Sequence, residues 1–274
     1  MTSDYNKRKQ AIVNTFDLAA MGYDGPALRF FPVSAEWLAG DLQLIGNEKV
    51  LDVATGTGVV ALAVARKLKN GTVIGIDISR NMLAQAKEKA ELSAIRNVSF
   101  RMMDADMLHF PDDYFDAISC GFGIFFMEDI VQCLRKMSCY LKKNAKFAAT
   151  SFLENSFEPM SSAFLQRIKM YGVDTPDLSI KKTDTPEKLT NLFLEAGFER
   201  VQVQPRSLGY YLPNAQAWWD LLWNAGYRGL LNQLSENDLQ RFQQEHCQEI
   251  RPLLTEKGIW LEVNVLFALA CKPD

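Results

Sequence analysis

Residues 50–58 read VLDVATGTG. The run 49–54, KVLDVA, is short, apolar and rich in β-branched side chains, which predicts a buried strand. Residues 57–69 are rich in Ala, Val and Leu and close on Asn70-Gly71, which predicts a helix. Between them lies a turn of small residues holding Gly56 and Gly58. Glycine there permits positive φ and lets a ligand come against bare backbone. The start of a helix offers unpaired N–H groups and partial positive charge. A phosphate or a carboxylate would fit such a turn.

The pattern continues outward. TVIGIDI (72–78), VSFRMMD (98–104), YFDAISC (114–120) and AKFAATSF (145–152) read as further strands. Helical stretches at 80–93, capped by Ser79, and at 128–141 separate them. Strand and helix alternating with short links predicts an α/β fold with a doubly wound, mostly parallel sheet. Helices are expected at 6–20 and 27–44 before it, and at 155–171, 185–196 and 235–250 after it. FERVQVQ (198–204) and the long run 258–272 complete seven strands. No linker-like composition interrupts the chain. One domain over 1–274 is expected, with a helical lid over about 1–46 and a helical cap inserted at about 205–257.

The chemistry of the turn separates ligand classes. GxxxxGK[ST] is absent, which excludes a P-loop. Gly56-Thr57-Gly58-Val59-Val60-Ala61 formally matches the dinucleotide pattern GxGxxA. Asp52 argues against it, because an acid at the strand end sits badly beside a pyrophosphate and suits a ligand's amino group.

At this point a resemblance enters. Asp52-Val-Ala-Thr-Gly56-Thr-Gly58 resembles motif I of the class I S-adenosylmethionine-dependent methyltransferases, with Ala54 where the first glycine usually stands. Asp77, ending the second strand, resembles the acid that binds both ribose hydroxyls. Asp104-Ala105 resembles the pair that reads the adenine edge. Gly121-Phe122-Gly123 follows strand four, where backbone carbonyls meet the methionine amine in that family. FDLAAMGYD (16–24), DADMLHFPDD and CGFGI extend the likeness to the ubiquinone/menaquinone-biosynthesis C-methyltransferases over about residues 10–152.

The resemblance implies a Rossmann-like sheet and S-adenosylmethionine as cofactor. It implies cofactor contacts from Tyr23, Asp52, Ala54, Thr55, Gly56, Gly58, Asp77, Ile78, Asp104, Ala105, Cys120, Gly121 and Phe122. Two departures stand out. Phe125-Phe126 occupy the place of an Arg-Asn pair, which puts a quinol substrate in doubt. Leu141-Lys142-Lys143-Asn144-Ala145 replaces L-K-P-G-G, which is read as a changed turn.

Each residue also has a plainer reading. Asp52 could brace the glycine turn, Asp104 could cap a turn, and Asp106 is expected to be solvated. His109 reads as a loop side chain. Leu239, Phe242, His246 and Ile250 step along one helix face. That makes His246 foremost a buried, hydrogen-bonded histidine. His246 and Tyr23 remain the candidates for assisting catalysis, and no catalytic residue is assigned beyond them.

The remaining composition excludes several classes. The net charge is −3 with no basic block, so nucleic acid is not an expected partner. No signal peptide or apolar run of membrane-spanning length is read, and the five cysteines show no CxxC spacing. A cytoplasmic protein with reduced thiols, no metal and a small hydrophobic substrate is expected, reached by in-line methyl transfer to carbon or oxygen. Two alternatives stay open: an NAD-dependent oxidoreductase using the glycine turn, and a non-catalytic protein that binds S-adenosylmethionine on the same fold.

Overall fold

The computed structural model describes residues 2–175 and 179–274. In chain order the helices are α1 (Thr2–Ala19), α2 (Phe30–Asp41), α3 (Val59–Lys67), α4 (Arg80–Leu92), α5 (Ile130–Tyr140), α6 (Met160–Met170), α7 (Pro186–Glu195), α8 (Ala215–Asn224), α9 (Arg228–Leu231) and α10 (Glu236–Ile250). The strands are β1 (Lys49–Val53), β2 (Thr72–Asp77), β3 (Val98–Met102), β4 (Phe115–Gly121), β5 (Leu141–Phe152), β6 (Glu199–Ser207), β7 (Tyr210–Leu212), β8 (Ile259–Leu261) and β9 (Asn264–Cys271). The residues group into two compact units: a sheet unit of 31–154, 179–206 and 265–274, and a helical unit of 1–30, 155–178 and 207–264.

In the sheet unit, seven strands among the described residues form one sheet in the order β3-β2-β1-β4-β5-β9-β6. The β1–β2, β2–β3, β1–β4 and β4–β5 pairs are parallel, and β9 runs antiparallel to β5. This is the doubly wound, mostly parallel architecture that the alternation predicts. Central strands are apolar on both sides because both faces are covered. Val50, Leu51, Val53, Ile118 and Phe147 are accordingly sealed from solvent. Helices are anchored at their starts by side chains: Ser79 accepts from the Met82 N–H and Asp129 from the Gln132 N–H.

The helical unit gathers α1, α6, α8, α9 and α10 with the β7–β8 ladder. The aromatic stretch around Trp218 forms α8, whose first turn is capped by Asn214 accepting from the Ala217 N–H. Trp218, Phe164 and Phe242 fill its core.

Three expectations change. The run 258–272 is not one strand: β8 pairs with β7 and β9 joins the main sheet. The break at Glu262–Val263 has its own partners, since the Phe157 N–H donates to the Glu262 carbonyl and the Leu208 N–H to that of Val263. Residues 141–145 are the start of β5 rather than a turn, and Asn144 takes a left-handed φ of 59° while donating to the Lys272 carbonyl. Asparagine tolerates that conformation better than most residues. The helix expected at 27–44 is a short 3-10 turn, Pro26–Leu28, followed by α2.

Candidate active site

The sheet order reverses between β1 and β4, so the crevice outside their carboxyl ends is the expected ligand position. The register brings the expected residues to that end: Val53 pairs with Ile76, Asp77 with Met102, and Asp52 with Ser119.

The glycine turn is tightly built. The Thr55 N–H donates to the Ile76 carbonyl at 2.8 Å, and the Gly58 N–H to that of Thr55 at 2.8 Å. Ala54, Gly56 and Gly58 have φ of 53°, 53° and 81°. The two glycines serve different ends. A Cβ on Gly56 would meet nothing within 4 Å, so this backbone faces open space. A Cβ on Gly58 would lie 2.9 Å from the Ala86 Cβ and 3.1 Å from the Phe100 ring, so this glycine serves packing.

Asp52 is completely buried. Thr55 Oγ1 donates to its Oδ2 at 2.5 Å and Ser119 Oγ to its Oδ1 at 2.7 Å. Burial pushes its carboxyl up to about 6, against the opposing effect of those two hydrogen bonds. The geometry gives Asp52 the brace's part: it ties the turn to β4.

Asp77 is half-buried at the end of β2. Its Oδ2 accepts from the Gly56 N–H at 2.8 Å and its Oδ1 from the Ser79 N–H at 2.8 Å. Ile78 beside it is half-buried. Asp104 caps a short turn, Oδ1 accepting from the Asp106 N–H at 2.9 Å, and Ala105 stays half-buried. Asp106 is not merely solvated. Its Oδ1 accepts from Cys133 Sγ at 2.9 Å and the Glu128 N–H at 3.3 Å, tying the loop to the start of α5.

At the end of β4, Cys120 is buried and its thiol is pushed well up by that burial. Gly121 is half-buried. Phe122 holds a φ of 54°, unusual for an aromatic residue. Its N–H donates to both the carbonyl and the hydroxyl of the buried Thr150, at 3.2 and 3.1 Å.

The two candidates for assisting catalysis lie in the helical unit. Tyr23 is half-buried, edge-on to Phe16 at 6.2 Å. His246 is fully buried. Its Nε2 accepts from Trp218 Nε1 at 2.9 Å, which leaves the proton on Nδ1, 3.2 Å from Glu249 Oε2. Both ring nitrogens are therefore engaged. Among the described residues no His, Cys, Asp or Glu group could hold a metal, and no helix is long and apolar enough to cross a membrane.

Residues 50–144 match a family model described as a methyltransferase domain. The ubiquinone/menaquinone biosynthesis C-methyltransferase UbiE of Proteus mirabilis is 30% identical over 219 residues, covering 73% of this chain and 87% of that protein. The chain belongs to the class I S-adenosylmethionine-dependent methyltransferases. The aklanonic acid methyltransferase DauC of a Streptomyces species is 29% identical over 162 residues, 56% of this chain and 74% of that protein. In fold, the methyltransferase is similar to the crystal structure of YcgJ from Bacillus subtilis, with a TM-score of 0.60 and 20% identity over 88% of this chain and 99% of that one.

The methyltransferase is therefore an enzyme, S-adenosylmethionine is its cofactor, and the oxidoreductase and non-catalytic alternatives fall. The residues present fit that cofactor. The open backbone at Gly56 lies beside the Asp77 carboxylate, which accepts the Gly56 N–H, so bare backbone and an acid stand together at the strand ends. Ser119 and Thr150 support the site although the sequence does not single them out, and Asp106, expected to be solvated, supports it too. Ser119 and Thr150 carried one signal, a polar residue inside an apolar strand run, but that signal does not name the partner.

Proposed function

We propose that this methyltransferase transfers the methyl group to carbon or oxygen of a small, flat, hydrophobic acceptor in the cytoplasm. One observation carries the reading. At the carboxyl ends of β4 and β5, Phe122 packs against Phe152 at 4.5 Å between centroids and against Phe31 at 5.1 Å. Phe125 and Phe126, 4.7 Å apart, follow directly. A wall of rings suits an aromatic face and offers an ionic acceptor little. The names of two relatives agree with it, one referring to ubiquinone and menaquinone biosynthesis, the other to aklanonic acid. The same proposal keeps one methyltransferase domain over 1–274, with 1–46 as lid and 205–257 as cap. It has no role for nucleic acid.

When bound, S-adenosylmethionine supplies a methyl group already activated by its sulfonium. The chain then has to hold the acceptor in line and exclude water. Positioning of that kind is worth roughly 7–11 kcal/mol in favourable cases, so little acid–base chemistry is asked of the protein. Asp77, Gly56, Asp104 and the Gly121 carbonyl are assigned to the cofactor; Phe31, Phe122 and Phe152 are assigned to the acceptor.

The test uses S-adenosylmethionine labelled with carbon-13 in its methyl group and a panel of naphthoquinols, hydroxyanthraquinones and aliphatic amines and alcohols. Label should pass to the ring compounds, and its NMR shift distinguishes a methoxy from a C-methyl product. Transfer confined to the aliphatic compounds would overturn the reading.

A further inference from the structure

Within the sheet unit, Gly121-Phe122-Gly123 carries one side chain between two glycines. A Cβ on Gly121 would lie 2.8 Å from Val60 Cγ2, and one on Gly123 2.5 Å from the Ala54 Cβ. The stretch passes close to α3 and to the glycine turn, and close packing keeps side chains off both neighbours of Phe122. Phe122 itself holds φ at 54°. That conformation is costly for a bulky residue and persists only where the surroundings over-determine it.

Thr150, opposite Gly121 on β5, supplies that determination. The Phe122 N–H donates to the Thr150 carbonyl at 3.2 Å, a bond that any residue at this place in β5 could accept. It also donates to Thr150 Oγ1 at 3.1 Å, which the ladder does not require. Thr150 is sealed from solvent in the run AATSF, where an apolar side chain would serve the core without desolvating an oxygen. A buried hydroxyl is kept where it is hydrogen-bonded, and here it meets the N–H of the left-handed residue. The consequence lies in the ring. With φ so held, Phe122 lies 4.5 Å from Phe152, 31° off parallel, and edge-on to Phe31 at 5.1 Å. A return of φ to the common negative region would swing the Cα–Cβ bond and take the ring out of that wall.

We propose that Thr150 is a positioning residue for the acceptor: its hydroxyl holds Phe122 in the left-handed conformation and so sets the ring against which the acceptor lies. This role rests on the flat, hydrophobic acceptor proposed above. Thr150, fully buried, acts on the acceptor through Phe122 alone.

The experiment measures steady-state methyl transfer to whichever naphthoquinol or hydroxyanthraquinone wild type methylates fastest, and S-adenosylhomocysteine affinity by calorimetry. Thr150→Val keeps the shape and the carbonyl and removes the hydroxyl. Its kcat/KM for the acceptor should fall about tenfold, the scale of one buried hydrogen bond left unmade, while S-adenosylhomocysteine affinity stays within about twofold. Thr150→Ser should recover most of that loss. A purely structural role would lower the melting temperature without dividing acceptor from cofactor. A double-mutant cycle reads the route through the ring: in the Phe122→Ala background, Thr150→Val should cost no further acceptor kcat/KM. Should Thr150→Val not fold, Thr150→Ala decides by the same division. Three results overturn the inference and leave the hydrophobic-acceptor reading standing: unchanged kcat/KM in the folded variant, an equal loss in the Phe122→Ala background, or an equal loss of S-adenosylhomocysteine affinity. Transfer by wild type to aliphatic compounds and to no ring compound removes both.

Discussion

Asp77 does two jobs with one carboxylate. It closes the glycine turn onto β2 through the Gly56 and Ser79 N–H groups, and it is the acid assigned above to the cofactor. Asp77→Ala should weaken S-adenosylhomocysteine binding by roughly 100-fold, because hydrogen bonds to a charged group contribute about 1.5–3 kcal/mol each. Calorimetry measures this directly. Asp52, on the neighbouring strand β1, is fully buried. Burial pushes its carboxyl up to about 6 in the fold, from the ordinary value of about 3.9 for an aspartate. The folded state therefore holds the proton more tightly, and stability is lost as pH rises from about 4 to 6, by at most about 3 kcal/mol. Asp52→Asn keeps the shape and removes the titration. Melting curves across that window should fall with rising pH more steeply in wild type than in the variant; parallel curves would refute the assignment.

At the scale of elements, α8 and α10 are joined by the Trp218–His246 hydrogen bond, and Arg167 of α6 holds Glu249 of α10 at 2.8 Å. Burial pushes the His246 imidazole below its ordinary value, only partly opposed by Glu249. A base depressed in the fold contributes stability above its unfolded value of about 6.5, and that stability is lost as pH falls through the folded value. The sign is opposite to that of Asp52. His246→Gln should lower stability by about 1–3 kcal/mol, the cost of leaving a buried donor poorly paired, and flatten the acid limb. It should leave kcat/KM and its pH profile unchanged. A changed pH profile at intact fold would return His246 to catalysis.

At the scale of the molecule, ligand binding shows which reading of the turn is right. At 100 times Kd, S-adenosylhomocysteine should add about 2.7 kcal/mol of stability. For a chain of this size that is a rise in Tm of very roughly 5–10 °C. NADH at the same concentration should add nothing. A rise with NADH alone would contradict the cofactor assignment.

The parallel sheet and its ligand turn were legible in VLDVATGTG and the alternation after it, because strand and helix periodicity and glycine turn chemistry are local properties of a chain. The strand ends at which Asp77 and Asp104 stand were legible from the same alternation. The tertiary structure alone decided the rest. It made Gly56 the open glycine and Gly58 the packed one, since Ala86 and Phe100 come from elsewhere in the chain. It closed both His246 nitrogens with Trp218 and Glu249. It broke the run 258–272 where backbone from 157 and 208 pairs with it. Each of these depends on which distant group satisfies a buried polar atom or fills the space beside a Cα, and neither appears in the order of residues along one segment.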